Sequence, residues 1–168
     1  EVKYLHDIGV RKSEFIDDAF NVNVKEFKAF FRKVIDSKMD MSFYFQSGLR
    51  GDLLDEEAID LMVEGGTKSM NLSLESASPR LQKLMGKYLR IERPRENLDY
   101  IVRTYPQIII GLNAMHGFPT ETEEEAQATV DFVMQVKWLH FAQLHNVRIF
   151  PNSRLEQVAL ENGVTKQE

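Results

Sequence analysis

The chain has 168 residues, of which 43% are hydrophobic and 28% charged, enough for one domain with a hydrophobic core. Its net charge of −5 argues against nucleic acid as a partner. No apolar run reaches the roughly 18 residues that a membrane-spanning helix needs. The chain contains no cysteine, which excludes disulfides, zinc–thiolate sites and a cysteine nucleophile within these residues. A cytoplasmic protein fits this composition.

The first ten residues, EVKYLHDIGV, predict the end of a helix that Gly9 closes. Neither an initiator Met nor a strand precedes this helix. We therefore expect the chain to be part of a longer protein.

Short alternating or apolar runs predict strands that are each followed by a polar tip and an amphipathic helix. The predicted strands are 14–20, 41–46, 68–75, 107–115 and 139–149. The predicted helices are 24–37, 55–66, one that starts at Pro79, 95–105, 123–136 and 154–163. Repeated units of this kind predict parallel strands joined by right-handed crossovers in one α/β domain over 1–168.

Capping residues stand before the predicted helices and support their starts. They are Asn23, Ser78, Ser153 and either Thr120 or Thr122. Both threonines have a Glu three residues later, so the sequence leaves two capping boxes open for the helix 123–136.

The strands have one apolar and one polar face. In the two central strands the apolar positions are Met41, Phe43, Phe45, Met70, Leu72 and Leu74. The alternate positions are Ser42, Tyr44, Gln46, Asn71, Ser73 and Glu75. A doubly wound sheet would be apolar on both faces, and a complete barrel would fill its interior with Val, Ile and Leu. The pattern therefore predicts an incomplete, splayed barrel whose polar face lines a wet or ligand-filled cavity.

Ligands of such folds bind at the carboxyl ends of the strands, so the polar tip residues are candidates. Asp17 and Asp18 either cap a loop or hold a metal or an ammonium group. Glu75 continues the polar face inward, where an unpaired carboxylate is costly. An ion pair with an arginine and a ligand role for Glu75 are equally favoured.

Two histidines also lie at predicted tips. His116 and His145 are candidate metal ligands, although a hydrogen-bonding role in a loop is favoured for each. The segment GLNAMHGFP contains Gly111, Gly117 and Pro119, and it predicts either a turn that the fold needs or a close approach of backbone to a flat ligand. The sequence has no phosphate loop of the Walker type and no G-x-G-x-x-G motif.

Five segments, in this order, resemble the radical SAM superfamily and cover nearly the whole chain. They are FIDDAFNVN, GLRGDLLDEEAIDLMVEGG, LSLESASPRLQKLMGK, IIIGLNAMHGFPTETEEEA and RIFPNSRLEQVALENG. The resemblance is strongest to the subclass with a cobalamin-binding domain, the group of the anaerobic magnesium-protoporphyrin IX monomethyl ester oxidative cyclases.

The resemblance implies a partial (β/α)6 TIM-like barrel. Such enzymes hold a [4Fe–4S] cluster on three cysteines of a C-x-x-x-C-x-x-C loop after the first strand, which here would precede Glu1. Residues 1–168 would then be the C-terminal part of the barrel domain, truncated at the N-terminus to about five βα units, and inert alone because the cluster ligands are missing.

The resemblance also implies roles for individual residues around S-adenosylmethionine. Asp17 and Asp18 match the motif that contacts its amino group, although the motif here is acidic and not glycine-rich. Ser73 and Glu75 match residues that meet the ribose or the methionyl end, and Lys87 matches a partner of the carboxylate. The remaining expected cofactor contacts are Gln46, Asn113, Gly117 and Val147, and the expected substrate contacts are Arg50, His116 and His145.

The implied reaction of the whole protein is reductive cleavage of S-adenosylmethionine and hydrogen abstraction by a 5′-deoxyadenosyl radical. An oxidative cyclase or a methyltransferase acting on a tetrapyrrole or similar small molecule is expected. The expected partners are this substrate, the upstream cluster loop and a cobalamin-binding domain, with no nucleic acid and no membrane span. Two alternatives stay open: a non-catalytic barrel for binding or assembly, and a hydrolase or aldolase that uses Glu75 with His116 or His145.

Overall fold

The computed structural model describes residues 1–17 and 19–164 and shows strands that alternate with helices. The strands are β1 (Lys12–Phe15), β2 (Ser42–Arg50), β3 (Thr67–Glu75), β4 (Ile109–His116) and β5 (Phe141–Asn146). The helices are α1 (Val2–Asp7), α2 (Val24–Ser37), α3 (Glu56–Glu64), α4 (Pro79–Leu84), α5 (Glu92–Thr104), α6 (Glu123–Gln135) and α7 (Arg154–Glu161). The predicted α/β alternation is confirmed.

The five strands form one parallel sheet in the order β1-β2-β3-β4-β5. Each connection moves to the next neighbour in the same direction. Right-handed crossovers therefore place the helices that join the strands on one face of the sheet. We call the opposite face the polar face.

The hydrophobic core lies between the sheet and these helices. The sheet contributes Phe43, Phe45, Leu49, Met70, Leu72, Leu74, Ile110 and Leu112, each at most 2% exposed. The helices contribute Phe27, Phe31, Ile59, Met62, Leu98, Ile101 and Phe132. Burying a side chain of this size contributes roughly 1.5–3 kcal/mol, so this layer supplies most of the folding free energy.

The first strand was predicted over 14–20, and this prediction was wrong at both ends. β1 starts at Lys12 and ends at Phe15. The chain then turns and returns Phe20 to the core, where the ring centroids of Phe15 and Phe20 lie 4.5 Å apart. An extended strand would separate these two residues by about 16 Å. The ring contact therefore requires the turn.

The second strand is longer than predicted, because it ends at Arg50 and not at residue 46. Leu49 stays in the sheet since it is 1% exposed and pairs with Leu72. Between the pairs Phe45–Met70 and Leu49–Leu72, four residue steps of β2 face two of β3. Residues 46–48 therefore form a bulge, which we call the β2 bulge.

The other boundaries move less. β4 covers Ile109–His116 where 107–115 was predicted, and β5 keeps only the middle of the predicted 139–149. α5 begins at Glu92, three residues before the prediction, and accommodates Pro94 in its first turn, where a missing amide hydrogen costs nothing.

The predicted helix caps are confirmed. The side chains of Asn23, Ser78, Thr122 and Ser153 each accept a hydrogen bond from a backbone N–H in the first turn. Of the two boxes left open for α6, the structure forms the one of Thr122 with Glu125. Asp55 caps α3 in the same way.

The polar face was predicted to line a wet or ligand-filled cavity, but around Ser69 and Asn71 of β3 the protein's own side chains fill the space. Ser69, Asn71 and Ser73 are 2%, 0% and 7% exposed. The side chains of the neighbouring strands cover them, because Gln46 donates to Ser69 Oγ at 3.0 Å and Asn71 donates to the Gln46 carbonyl oxygen at 3.0 Å. Carboxamides thus fill the space between β2 and β3.

A polar network fixes the connection that leaves β3. The Thr129 hydroxyl of α6 accepts from the Ala77 amide at 3.0 Å. Glu125 accepts from the Ser78 hydroxyl at 2.6 Å and from two nitrogens of Arg80 at 2.9 and 2.5 Å. The first turns of α4 and α6 are therefore tied together beside the carboxyl end of β3.

Among the described residues, no helix combines the length and the apolar composition that crossing a lipid bilayer requires.

A substitution at Gly66 tests the close contact between the end of α3 and the start of β2. Its φ is +105°, and a Cβ there would lie 2.2 Å from the Met41 carbonyl oxygen. We expect Gly66→Ala to lower the free energy of unfolding by about 1–2 kcal/mol for the backbone and about 1–3 kcal/mol more for the clash. Gly86→Ala is the matched control, because Gly86 also has a positive φ of +71° but nothing within 4 Å of its Cβ position. Equal losses for the two variants in urea titrations would refute the contact with Met41.

The contribution of Glu125 to this network can be tested through the pH dependence of stability. Hydrogen bonds from Arg80, with smaller help from Ser78, lower the pKa of Glu125 from 4.5 to about 2. A depressed pKa stabilises the fold above the unfolded value, and this stability is lost as the pH falls from 4.5 toward 2. We expect Glu125→Gln to cost about 1 kcal/mol at neutral pH, since solvent screens the half-exposed Arg80, and the difference from wild type to shrink below pH 4.5. Glu123→Gln, on the same helical turn, should show no such convergence.

Candidate functional site

The carboxyl ends of the parallel strands meet at one edge of the sheet. β2 ends at Arg50, β3 at Glu75, β4 at His116 and β5 at Asn146. Strand register brings Arg50 beside Ser73 and Ser73 beside Asn113. The predicted site residues of β2, β3 and β4 therefore lie on adjacent strands at the end where such folds bind ligands.

Glu75 ends β3 in an unusual conformation. Its φ is +63°, and β3 has one residue more than β4 between the pairs Ser73–Asn113 and Glu75–Ala114. Gln82, which is 2% exposed, donates to the carbonyl oxygens of Leu74 and Ser76 at 2.7 Å each. This buried carboxamide fixes the backbone on both sides of Glu75 and compensates for the strained φ.

The carboxylate of Glu75 pairs with Lys87, whose Nζ lies 2.5 Å from Oε1. The basic partner that the sequence required is therefore present, but it is a lysine and not the arginine that one interpretation named. The two side chains are 16% and 24% exposed, so both charges reach the surface. An ammonium and a carboxylate side by side match a zwitterion of the amino-acid type, with one charge of the ligand on each.

Carboxamides occupy the polar face between the strands. Besides its bond to the β2 bulge, Asn71 Nδ2 lies 3.4 Å from Asn113 Oδ1. Gly111 makes room for this arrangement, because a Cβ there would lie 2.3 Å from Asn71 Oδ1 and 2.4 Å from a ring carbon of Phe141. The predicted close approach at Gly111 is thus made by the protein's own side chains.

Arg50 is held in place at the end of β2. The buried Asn21 donates to its carbonyl oxygen at 2.8 Å and accepts from its amide at 2.9 Å. The guanidinium binds Asp52 through two hydrogen bonds of 3.0 and 2.7 Å. Arg50 is therefore positioned on the polar face beside Ser73 with its charge already paired.

The segment after β4 forms a tight turn. Gly117 has a φ of +83°, and its amide donates to Glu121 at 2.5 Å. Arg80 donates to the Thr120 carbonyl oxygen at 2.7 Å. The Val147 amide donates to the His116 carbonyl oxygen at 2.9 Å, which joins this turn to the end of β5. No atom of the described chain lies within 4 Å of a Cβ at Gly117, so this side of the turn is open to a ligand.

The two histidines do not share a face. His145 pairs with Met115 and so follows the polar face of Gly111 and Asn113, whereas His116 pairs with Asn146 on the helix side. His145 Nε2 lies 3.3 Å from Gln143 Oε1. Over residues 1–17 and 19–164 no group of three or more His, Asp or Glu side chains could hold a metal ion.

Asp17 is exposed beyond the end of β1, and Asp18 lies outside the described residues. The structure therefore brings Ser73, Glu75, Lys87 and Asn113 together with Gln46 and Arg50, and it places His116 on the helix side of the sheet. Gln82 was not predicted as a site residue, and Asn71 was predicted only as part of the polar face. No sequence pattern distinguished Gln82 from a surface residue.

The donor set decides which cofactors the residues fit. The chain has no cysteine, so it offers no thiolate to an iron–sulfur cluster. The pair of Glu75 and Lys87 fits the ammonium and carboxylate of S-adenosylmethionine, and the open side of Gly117 fits a flat group.

The fold is that of known radical S-adenosylmethionine enzymes. The methyltransferase TsrM from Kitasatospora setae, solved with cobalamin and a [4Fe–4S] cluster bound, superposes with a TM-score of 0.80 at 21% identity, over 95% of this chain and 31% of that one. The cobalamin-dependent enzyme OxsB gives 0.60 at 13% identity, over 94% and 23%. The predicted TIM-like partial barrel is thereby confirmed.

Sequence relatives lead to the same family. An uncharacterized methyltransferase of Pyrococcus horikoshii is 31% identical over 98% of this chain and 35% of its own length. The ribosomal protein uS12 methylthiotransferase RimO of Vibrio cholerae is 34% identical over 62% of this chain and 21% of its own. The chain thus spans about a third or less of these relatives. Since the model of the radical SAM superfamily matches residues 1–133, the chain belongs to the radical SAM superfamily.

Proposed function

We propose that this chain forms the S-adenosylmethionine-binding wall of a radical SAM enzyme and that the pair of Glu75 and Lys87 holds the methionyl end. The observation that carries the proposal is this ion pair at the carboxyl end of β3, where Gln82 fixes the backbone. S-adenosylmethionine, when bound, supplies either a methyl group or the source of a 5′-deoxyadenosyl radical.

Each charge of the pair has a task in binding. Lys87 donates to the ligand carboxylate, and Glu75 accepts from the ligand ammonium. Both side chains are mostly removed from water, so a ligand that replaces one ion pair by two charge-assisted ones is favoured over solvent. The turn at Gly117 and the backbone at Val147 border the adenosyl group in this proposal, with Gln46 and Asp17 as further contacts.

The reaction of the whole protein is part of the same proposal. The superfamily supports hydrogen abstraction or methyl transfer on a small molecule, and the methyltransferase relatives favour methyl transfer over the oxidative cyclase. The cluster ligands have to come from outside these 168 residues. We assign a cobalamin-binding domain to the parent from the likeness to TsrM and OxsB, and a cytoplasmic location from the cysteine-free composition.

The substrate side of the proposal rests on Arg50 and His145, which share the polar face. His116 is a weaker candidate, because register places it on the helix side. The same separation argues against a hydrolase that combines Glu75 with His116.

Isothermal titration with S-adenosylmethionine and with 5′-methylthioadenosine, which lacks the zwitterion, tests the pair. We expect Lys87→Met and Glu75→Gln to weaken S-adenosylmethionine about tenfold to a hundredfold, the usual value of a charged hydrogen bond, and to leave 5′-methylthioadenosine unchanged. Lys83→Met is the matched control, since Lys83 lies in α4, shortly before Lys87 in the chain, and is exposed.

Equal losses for both ligands would move the pair from the methionyl end to the ribose. Unchanged affinity of Lys87→Met and Glu75→Gln for S-adenosylmethionine would overturn the proposal that this pair holds the methionyl end.

A further inference from the structure

Two free polar groups converge on Gly48 in the β2 bulge. A Cβ at Gly48 would lie 2.3 Å from Ser73 Oγ and 3.0 Å from Asn113 Nδ2. The atoms belong to β3 and β4, which pair directly at Ser73 and Asn113. We call Gly48, Ser73 and Asn113 the Gly48 site.

Both residues are largely buried, and the two atoms that face Gly48 lack a partner. Ser73 is 7% exposed and Asn113 is 8% exposed. Within residues 1–17 and 19–164 neither Ser73 Oγ nor Asn113 Nδ2 makes a hydrogen bond; the one contact of Asn113 is through Oδ1, to Asn71. Neither atom belongs to the fully enclosed polar atoms without a partner, so a ligand or a water molecule can reach both.

The arrangement is built by its surroundings. Asn71 is fully buried and donates to both the β2 bulge and Asn113 Oδ1, so the carboxamide of Asn113 presents its NH₂ group near Gly48. Gly48 has a φ of +99°, which favours glycine, and only the missing Cβ admits the two polar atoms. The two atoms are therefore no farther apart than their distances of 2.3 and 3.0 Å from this Cβ position combined, so one acceptor that lies beside Gly48 can be within hydrogen-bond distance of both.

The nearby charges are already paired. Arg50 binds Asp52 on one side, and Glu75 binds Lys87 on the other. The Gly48 site therefore offers two neutral donors and no free cation, which suits a neutral acceptor better than a carboxylate. Its small exposure admits only a narrow group such as a carbonyl oxygen.

We propose that the Gly48 site binds the carbonyl oxygen of a neutral amide-, urea- or ketone-type group on the molecule that the enzyme modifies. Ser73 and Asn113 then select the substrate and do not hold S-adenosylmethionine. The assignment to a substrate rests on the proposed function, because it places the cofactor one step farther along β3, at Glu75.

Acetamide is the probe, followed by two-dimensional ¹H–¹⁵N NMR of the 168-residue chain. We expect saturable shifts of the Gly48 amide and of the Asn113 side-chain NH₂ signals with millimolar affinity. Ser73→Ala and Asn113→Leu should each weaken acetamide at least fivefold. Ser47→Ala, which changes an exposed residue of the same bulge, should leave the affinity unchanged.

Acetate separates the chemical classes, and we expect it to bind more weakly than acetamide. Tighter binding of acetate, or the absence of shifts at Gly48 and Asn113, would overturn the proposal.

If S-adenosylmethionine fails to bind while acetamide shifts these signals, the proposed function fails and the Gly48 site stands. Gly48→Ala adds a second check, provided that its NMR spectrum shows a folded chain, because it should block acetamide by filling the approach to Ser73.

Discussion

The pairing of β3 on both of its edges is the constraint on which the rest of the structure depends. Its helix side carries Met70, Leu72 and Leu74, which are fully buried, and its polar side carries Ser73 and ends at Glu75. A shift of one residue would exchange these two sets. The register that hides the leucines from water is therefore the same register that aims Ser73 and Glu75 at the site. Stability and site geometry are fixed together, and neither changes without the other.

Much of the fold follows from local patterns. Period-two alternation located the central strands, and a short polar side chain before each helix located most of its starts. What failed depended on contacts between distant residues. The local pattern of residues 14–20 does not predict that Phe20 packs on Phe15. The pattern of SGLRGD does not predict that Leu49 pairs with Leu72. Strand ends are decided by partners that a local pattern does not contain.

The sequence predicted where several residues of the candidate site lie, but it did not predict which hydrogen bonds and ion pairs join them. Tip residues follow from the parallel fold, so Glu75 was identified as a candidate, whereas Lys87 was implied by the resemblance to the radical SAM superfamily. Their direct pairing spans 12 residues, and the bond between Asn71 and Asn113 spans 42, with no motif for either. Buried carboxamides such as Gln82 escaped notice because asparagine and glutamine are common on surfaces, and burial alone distinguishes these. Ion pairs and carboxamide networks emerge only when separate strands are brought side by side.

The β2 bulge inserts an even number of residues, and this parity has a consequence for how such a protein diverges. Phe45 and Leu49 both face the helices, although the chain between them is lengthened relative to β3. A single inserted residue would move the side chain of Leu49 to the polar face and that of Arg50 to the helix side. A pair of inserted or deleted residues would leave both side chains on their present faces. The β2 bulge can thus change its length in steps of two residues while the hydrophobic core stays the same. Proteins that differ in this bulge by two residues would keep the same core and present a different surface at this edge of the sheet.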